Sequence, residues 1–303
     1  MQFINMTTHR VLVTGASGLL GRAILKEFKA SSSWEALGLA FSRARADLKK
    51  VDLTDRKAVN DVVNEFKPDV IIHSAAERSV DVIEKDPEGT KRINLDATQF
   101  LCEAADAINA WVLFISTDYV FDGKNPPYKV TDEPNPLNLY GKGKVEGEKL
   151  TLKVNSGYGV LRVPVLYGEI EKLSESAVTV LFSKVKDTST KSLIDAKQQR
   201  FPTLVDDIAY VIRELSEKKL QDPEIKGIFH WSNNEVYTKY DMAVTMAKAF
   251  GISTEHIAPD MSSSSTANRP DNSQLDCSRI ENLGINKRTK FSEAIVDVLK
   301  PYL

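Results

Sequence analysis

Residues 10–22 read Arg10-Val-Leu-Val-Thr-Gly-Ala-Ser-Gly-Leu-Leu-Gly-Arg22. Val11-Leu12-Val13 is an apolar strand that runs straight into Gly15-x-x-Gly18-x-x-Gly21. Leu19, Leu20, Ala23, Ile24 and Phe28 then recur with helical spacing. Strand, glycine turn and helix in that order bring bare backbone against a dinucleotide pyrophosphate. Gly15 permits the tight turn, Gly18 offers no side chain to hold phosphates away, and Gly21 lets helix and strand pack closely. The N–H groups and positive dipole end of the helix, around Ser17, Gly18, Leu19 and Leu20, face the anion.

Outward from this turn the first half alternates strand and helix. Strands are predicted over 10–14, 35–41, 50–52, 70–74, 111–116 and 159–163, and helices over 20–30, 55–66, 87–108 and 136–154. Buried strands joined by crossover helices make an α/β fold with a doubly wound parallel sheet, the Rossmann arrangement. Further on, 206–217 and 239–250 read as helices and 227–232 as a strand. The expected organisation is a nucleotide domain over 1–166, completed by about 204–235. A smaller C-terminal domain takes 167–203 and 236–303. The stretch 259–270, with four consecutive serines, reads as a surface loop.

Composition bounds the function. Of 303 residues, 42% are hydrophobic and 27% charged, as in a globular protein with a sizeable core. A net charge of −2 leaves no basic field for nucleic acid or an anionic membrane. No apolar run is long enough to span a bilayer, and the short polar stretch 1–8 is not a signal peptide. Cys102 and Cys277 read as buried thiols in a reducing compartment. A cytoplasmic address follows, with nuclear access open. The four histidines are scattered, so no metal site is expected.

In an open parallel sheet the ligand lies across the carboxyl ends of the strands. The second strand ends in Phe41-Ser42-Arg43-Ala44-Arg45, where an NAD-preferring protein carries an acid. Arginine there suits the 2′-phosphate of NADP, with Arg43 the main contact and Arg45 in support. Asp52-Leu53 suits the edge and face of adenine. Ser74 follows the fourth strand with small neighbours, and Arg78 can reach phosphate. Thr117 follows the fifth strand. Tyr140 and Lys144 lie downstream on one face of a helix that Asn135 caps and Pro136 opens. In a reductase Thr117 would bind a substrate carbonyl, Tyr140 donate a proton and Lys144 hold the nicotinamide ribose.

The runs ISTDYVFDG (115–123) and PLNLYGKGK (136–144) resemble the dTDP-4-dehydrorhamnose reductases, a family of extended short-chain reductases. RFPT (200–203), RPDNS (269–273) and Leu275 fit the later segments of that family. A narrower resemblance is to its branch of regulatory beta subunits of methionine adenosyltransferase. LYGEIEKLSESAVTV (166–180), QQRFPT (198–203), IKGIFHWS (225–232), TKYDMA (238–243) and QLDCS (274–278) carry it. The resemblance implies an NADP site lined by Ser17 to Leu20, Phe41 to Arg43, Asp52, Leu53, Ser74, Arg78, Tyr140, Lys144 and Leu166. It also implies a heteromer with the methionine adenosyltransferase catalytic subunit, and a role in S-adenosylmethionine synthesis. That branch carries a C-terminal tail that enters the partner. This sequence ends at Pro301-Tyr302-Leu303, so a different docking mode, weaker docking or another partner is expected.

Tyr119 stands where a sugar-nucleotide dehydratase carries a glutamate, which disfavours that activity. An epimerase shares Thr117, Tyr140 and Lys144 and stays open, with the arginine-ended second strand against it. Two functions lead. One is an NADP-binding regulatory subunit without turnover. The other is an NADPH-dependent reductase of a nucleotide-linked 4-keto sugar, using Thr117, Tyr140 and Lys144.

Overall fold

A computed structural model describes residues 8–78, 80–262 and 268–303. The opening stretch 1–7, residue 79 and residues 263–267 of the serine-rich loop expected over 259–270 lie outside the described residues. The strands are β1 (His9–Thr14), β2 (Trp34–Ala40), β3 (Lys49–Lys50), β4 (Val70–His73), β5 (Trp111–Thr117), β6 (Gly159–Val163), β7 (Leu166–Tyr167), β8 (Ser192–Asp195), β9 (Thr203–Leu204), β10 (Gly227–His230) and β11 (Ile257–Asp260). The helices are α1 (Leu19–Lys29), α2 (Arg56–Phe66), α3 (Val80–Lys85), α4 (Pro87–Lys91), α5 (Ala97–Asp106), α6 (Leu139–Val154), α7 (Leu181–Lys186), α8 (Val205–Gln221), α9 (Lys239–Ala249), α10 (Ser278–Glu281) and α11 (Phe291–Leu299).

Seven strands form one parallel sheet in the order β10-β6-β5-β4-β1-β2-β3. The chain leaves β1 toward β2 and β3, then returns to the other side of β1 for β4 and β5. Strand order therefore reverses between β1 and β4, and the carboxyl ends of those two strands diverge there. Val11, Leu12 and Val13 in β1 and Val70, Ile71 and Ile72 in β4 are fully buried, as central parallel strands must be.

The chain divides into two compact units. The first takes in the chain up to Ser116, Gly143–Leu161 and Ile212–Ile228. The second comprises Thr117–Lys142, Arg162–Val211 and Phe229–Leu303. In the first, α1 buries Leu19, Ala23, Ile24 and Phe28 along one stripe. Asp55 caps α2, accepting the Lys57 and Ala58 N–H groups at 2.9 and 3.2 Å. The second has its own apolar core, in which Tyr167, Phe182, Met242, Met246, Phe291 and Ile295 are buried.

Two expected helices differ from the reading of the sequence. The helix predicted over 87–108 is α4, a π-helical turn over Arg92–Asp96, and α5. The helix predicted from 136 begins at Leu139. Asn135 does not cap it: its side-chain amide donates to Asp122 Oδ2 at 2.9 Å, and its N–H donates to the Val120 carbonyl at 2.8 Å. Asn138 takes that role, its Oδ1 accepting the Gly141 N–H at 2.9 Å.

Helix α6 packs closely on β5 inside the first unit. A Cβ at Gly147 would lie 2.7 Å from Phe114 Cζ and 3.3 Å from both Cε atoms of that rigid ring. Gly147→Ala sets helix propensity against this contact. The propensity gain is about 1 kcal/mol, and the overpacking cost is about 1–3 kcal/mol. The substitution is expected to lower the urea midpoint. An unchanged or raised midpoint would show that α6 stands off β5.

Candidate functional site

The candidate site starts where β1 and β4 end. Gly15 has φ +65, the left-handed region, and a Cβ there would lie 2.8 Å from the Ala75 N and Cα atoms. The turn after β1 thus crosses the turn after β4 backbone to backbone, which only glycine permits. The Gly15 carbonyl accepts the Gly18 N–H at 2.8 Å, closing the turn. Gly18 then opens α1 with extended backbone and no side-chain cap, and no acid lies in the first turn of the helix. The N–H groups at this end are therefore left to an external acceptor, and the local charge favours an anion.

A directed chain of hydrogen bonds holds the crossing. Thr98 Oγ1 donates to the Asn94 carbonyl at 2.7 Å, so it accepts from His73 Nε2 at 2.9 Å. His73 Nδ1 is then the acceptor for Thr14 Oγ1 at 2.8 Å, and Thr14 Oγ1 accepts the Ala75 N–H at 3.2 Å. This order requires neutral imidazole protonated on Nε2. Burial, and then the charge of Lys144, push His73 down to about 3. The π-helical turn supplies a second clamp. The Asn94 side chain accepts the Glu77 N–H at 2.8 Å and donates to the Glu77 carbonyl at 3.0 Å. That fixes the loop carrying Ser74 and Arg78. Ser74 Oγ donates to the Thr14 carbonyl at 2.6 Å, which leaves its lone pairs as its offering to a ligand.

The arginine-bearing loop after β2 belongs to the same unit. Arg43 Nη2 lies 3.9 Å from the point a Gly18 Cβ would occupy, so the guanidinium stands beside the glycine turn. Phe41, Ser42, Arg43 and Arg45 are all exposed, and Lys50 Nζ sits 5.8 Å from the centroid of the Phe41 ring. Asp52 Oδ1 accepts from the Thr54 N–H at 2.9 Å and from Thr54 Oγ1 at 2.7 Å, which holds the Asp52-Leu53 turn.

Lys144 is buried in the first unit and donates Nζ to the Ile115 carbonyl at 2.8 Å. Burial pulls it down to about 8, while Glu148 opposes the shift. Tyr140 precedes it by one turn on α6. Gly15, Ser17, Gly18, Leu19, Leu20, Gly21, Phe41, Ser42, Arg43, Arg45, Asp52, Leu53, Ser74, Arg78 and Lys144 thus share the first unit. Tyr140 and Leu166 belong to the second.

In the second unit Thr117 Oγ1 accepts the Tyr119 N–H and donates to Asp118 Oδ1, each at 3.2 Å. Half-buried Tyr140 meets Tyr119 edge to face, with ring centroids 6.2 Å apart. Asp118 is buried and accepts from Ser273 Oγ at 2.5 Å. Burial pushes its carboxyl up to about 6, against the pull of Ser273, Arg200 and Thr117. The buried Arg200 guanidinium donates to the Pro270 and Gln199 carbonyls and to Gln198 Oε1, 5.9 Å from the Tyr119 ring centroid. Reading the sequence missed Asn94, Thr98, Asp118, Ser273 and Glu148. Only Glu148 left a local signal, a carboxylate four residues after Lys144.

Both cysteines are buried and free, and burial pushes the Cys102 thiol up to about 12. Among the described residues no group of His, Cys, Asp or Glu side chains is placed to hold a metal ion. No described helix is long and apolar enough to cross a membrane.

Comparison with known proteins shows the family and the fold. Residues 9–303 match the family model described as RmlD substrate binding domain. Methionine adenosyltransferase 2 subunit beta from Bos taurus is 52% identical over 301 residues, covering 99% of this chain and 90% of that protein. A dTDP-4-dehydrorhamnose reductase from Aggregatibacter actinomycetemcomitans is 34% identical over 281 residues, with 90% and 92% covered. The crystal structure of the dTDP-4-dehydrorhamnose reductase from Bacillus anthracis in complex with NADP superposes with a TM-score of 0.84. It is 26% identical and covers 97% of this chain and 99% of that one.

The His73 chain makes a testable pH dependence. His73 stays neutral when folded down to about 3, whereas an unfolded histidine takes a proton near 6.5. Stability from this group is present above pH 6.5 and is lost as pH falls toward 3, by at most about 1.4 kcal/mol per pH unit. His73→Gln removes that loss. Its stability deficit, measured by urea unfolding at pH 7, 6, 5 and 4, is expected to narrow as pH falls. Parallel profiles for the two proteins would contradict the neutral assignment.

Proposed function

The chain belongs to the RmlD substrate binding domain family, and we propose that it is an NADP-binding regulatory subunit of methionine adenosyltransferase. The observation that carries this is the 52% identity to a protein named as the beta subunit of that enzyme, sustained over 99% of the chain. Likeness over whole length at that level argues for the same docking partner, a catalytic subunit that makes S-adenosylmethionine.

The residues fit a nicotinamide dinucleotide. The glycine turn, the uncapped end of α1 and the reversal of strand order between β1 and β4 would take the pyrophosphate. Arg43 beside Gly18, with Arg45 in the same loop, supports NADP over NAD, since a guanidinium matches a 2′-phosphate and a carboxylate would repel it. Phe41, Asp52 and Leu53 would meet the adenosine, and Ser74 and Arg78 complete the proposed lining within the first unit. In this reading the cofactor stabilises the fold that docks on the partner.

A second reading has a specific support: the 34% identity to a dTDP-4-dehydrorhamnose reductase, together with a helix that carries Tyr140 and Lys144 one turn apart. Reduced NADP supplies hydride when bound. Lys144 would hold the ribose hydroxyls and favour tyrosinate, Thr117 would hydrogen-bond the carbonyl of a nucleotide-linked 4-keto sugar, and Tyr140 would give up its proton.

The two readings separate in one experiment. The purified chain is expected to co-elute with a methionine adenosyltransferase catalytic subunit at micromolar concentration with NADP present. Tyr140→Phe is expected to co-elute equally well. Absence of a complex, with NADPH oxidation by dTDP-4-dehydrorhamnose that Tyr140→Phe abolishes, would replace the regulator with the reductase.

A further inference from the structure

Glu148 has no part in either reading above, yet its placement is costly. It lies on α6 four residues after Lys144, within the first unit, and is 3% exposed. A carboxylate this deeply buried is strongly destabilising unless a counter-charge and hydrogen bonds compensate it. Both are at hand. Ser116 Oγ on β5 donates to Glu148 Oε1 at 2.5 Å. Lys144, 8% exposed, donates to the Ile115 carbonyl and holds Nζ 4.8 Å from the centroid of the Phe114 ring. Three successive residues of β5 therefore hold the two charged heads: Phe114 and Ile115 for the ammonium, Ser116 for the carboxylate.

His73 on β4 is another titratable group that Lys144 acts on, and burial keeps it neutral. It supplies no charge to balance the ammonium at neutral pH. Glu148 is the group that favours the charged lysine, against the desolvation that disfavours it. The Phe114 face adds a weaker attraction.

We propose that Glu148 is a positioning residue: its carboxylate, anchored to β5 through Ser116, is the built-in counter-charge that keeps Lys144 an ammonium and fixes its height on that strand. Removing the charge would leave a buried cation with neutral partners, and such a lysine neutralises instead. The consequence for a cofactor rests on the dinucleotide reading above, because only there does the Lys144 charge meet a ligand. The coupling between the two side chains does not depend on that reading.

The test is a side-chain NMR titration of the ligand-free full chain, with the Lys144 signal assigned by its loss in Lys144→Met. In the wild type Lys144 is expected to titrate at about pH 8. Glu148→Gln keeps an acceptor for Ser116 and removes only the charge, so the Lys144 midpoint should fall by about one pH unit or more. Ser116→Ala, which removes the anchor of the carboxylate, should also lower the Lys144 midpoint, by less, which decides the matter even if Glu148→Gln does not fold. A midpoint that stays in place in the folded variant overturns the proposal. NADP affinity measured from pH 6.5 to 9 is the second readout. The wild type should weaken as pH rises through about 8, and Glu148→Gln should weaken at lower pH. Midpoints that move without the affinity following would leave the Glu148 role standing and refute the placement of Lys144 at the cofactor.

Discussion

The contact on which the first unit depends is the crossing of two backbones at the ends of β1 and β4. Gly15 takes a left-handed conformation with Ala75 where its side chain would be. Nothing but glycine fits, and no adjustment of a flexible side chain can relieve the clash, because the obstacle is main chain. The crossing puts the turn that opens α1 at the place where strand order reverses. Around it the molecule adds restraints of decreasing generality. The chain from Ala75 through Thr14, His73 and Thr98 to Asn94 ties three segments with directed hydrogen bonds, and it works in one protonation state. The Asn94 clamp on Glu77 fixes the loop that follows. Arg43 comes last, as an exposed side chain set beside the turn.

This ordering separates rigid from adaptable parts. The glycine turn, proposed for the pyrophosphate, is built from backbone and buried side chains, so its geometry is set before a ligand arrives. The loop proposed for the adenosine, with Phe41, Ser42, Arg43 and Arg45 all exposed, is built from side chains that can move. In the proposed site any dinucleotide would meet the same turn, and discrimination between cofactors would fall to the exposed loop. Deeper in the unit, Lys144 and Glu148 lie one turn apart on α6, both buried and each held by a residue of β5. An ammonium there costs desolvation that only an arranged environment can offset. Such an arrangement suits a ligand-facing lysine, and both proposed functions place a ligand on it.

Much of this was legible in the sequence, for identifiable reasons. The glycine turn is visible because steric exclusion leaves a fixed spacing. The central strands are visible because burial on both faces makes them continuously apolar, and β6 falls where the pattern puts it. The start of α6 was misread because Asn135-Pro136 has the composition of a helix opening, while the amide of Asn135 is taken by Asp122 thirteen residues earlier. A local pattern cannot register a competing partner that far away. The π-helical turn at Arg92–Asp96 was invisible because a single widened turn leaves no periodicity. Glu148 was overlooked because Ser116, which anchors it, is 32 residues distant. The arginines after β2 were legible as a charge at a strand end, although only the fold sets Arg43 next to Gly18.

The central claim is that this turn and this arginine together form a site for a dinucleotide carrying a 2′-phosphate. The most direct measurement is calorimetric titration of NADP and of NAD into the wild type and into Arg43→Ala. The account predicts that the wild type binds NADP more tightly than NAD. It also predicts that Arg43→Ala loses about tenfold or more for NADP, the equivalent of a charge-assisted contact, with little change for NAD. Equal losses for both dinucleotides, or no binding of either to the wild type, would contradict it.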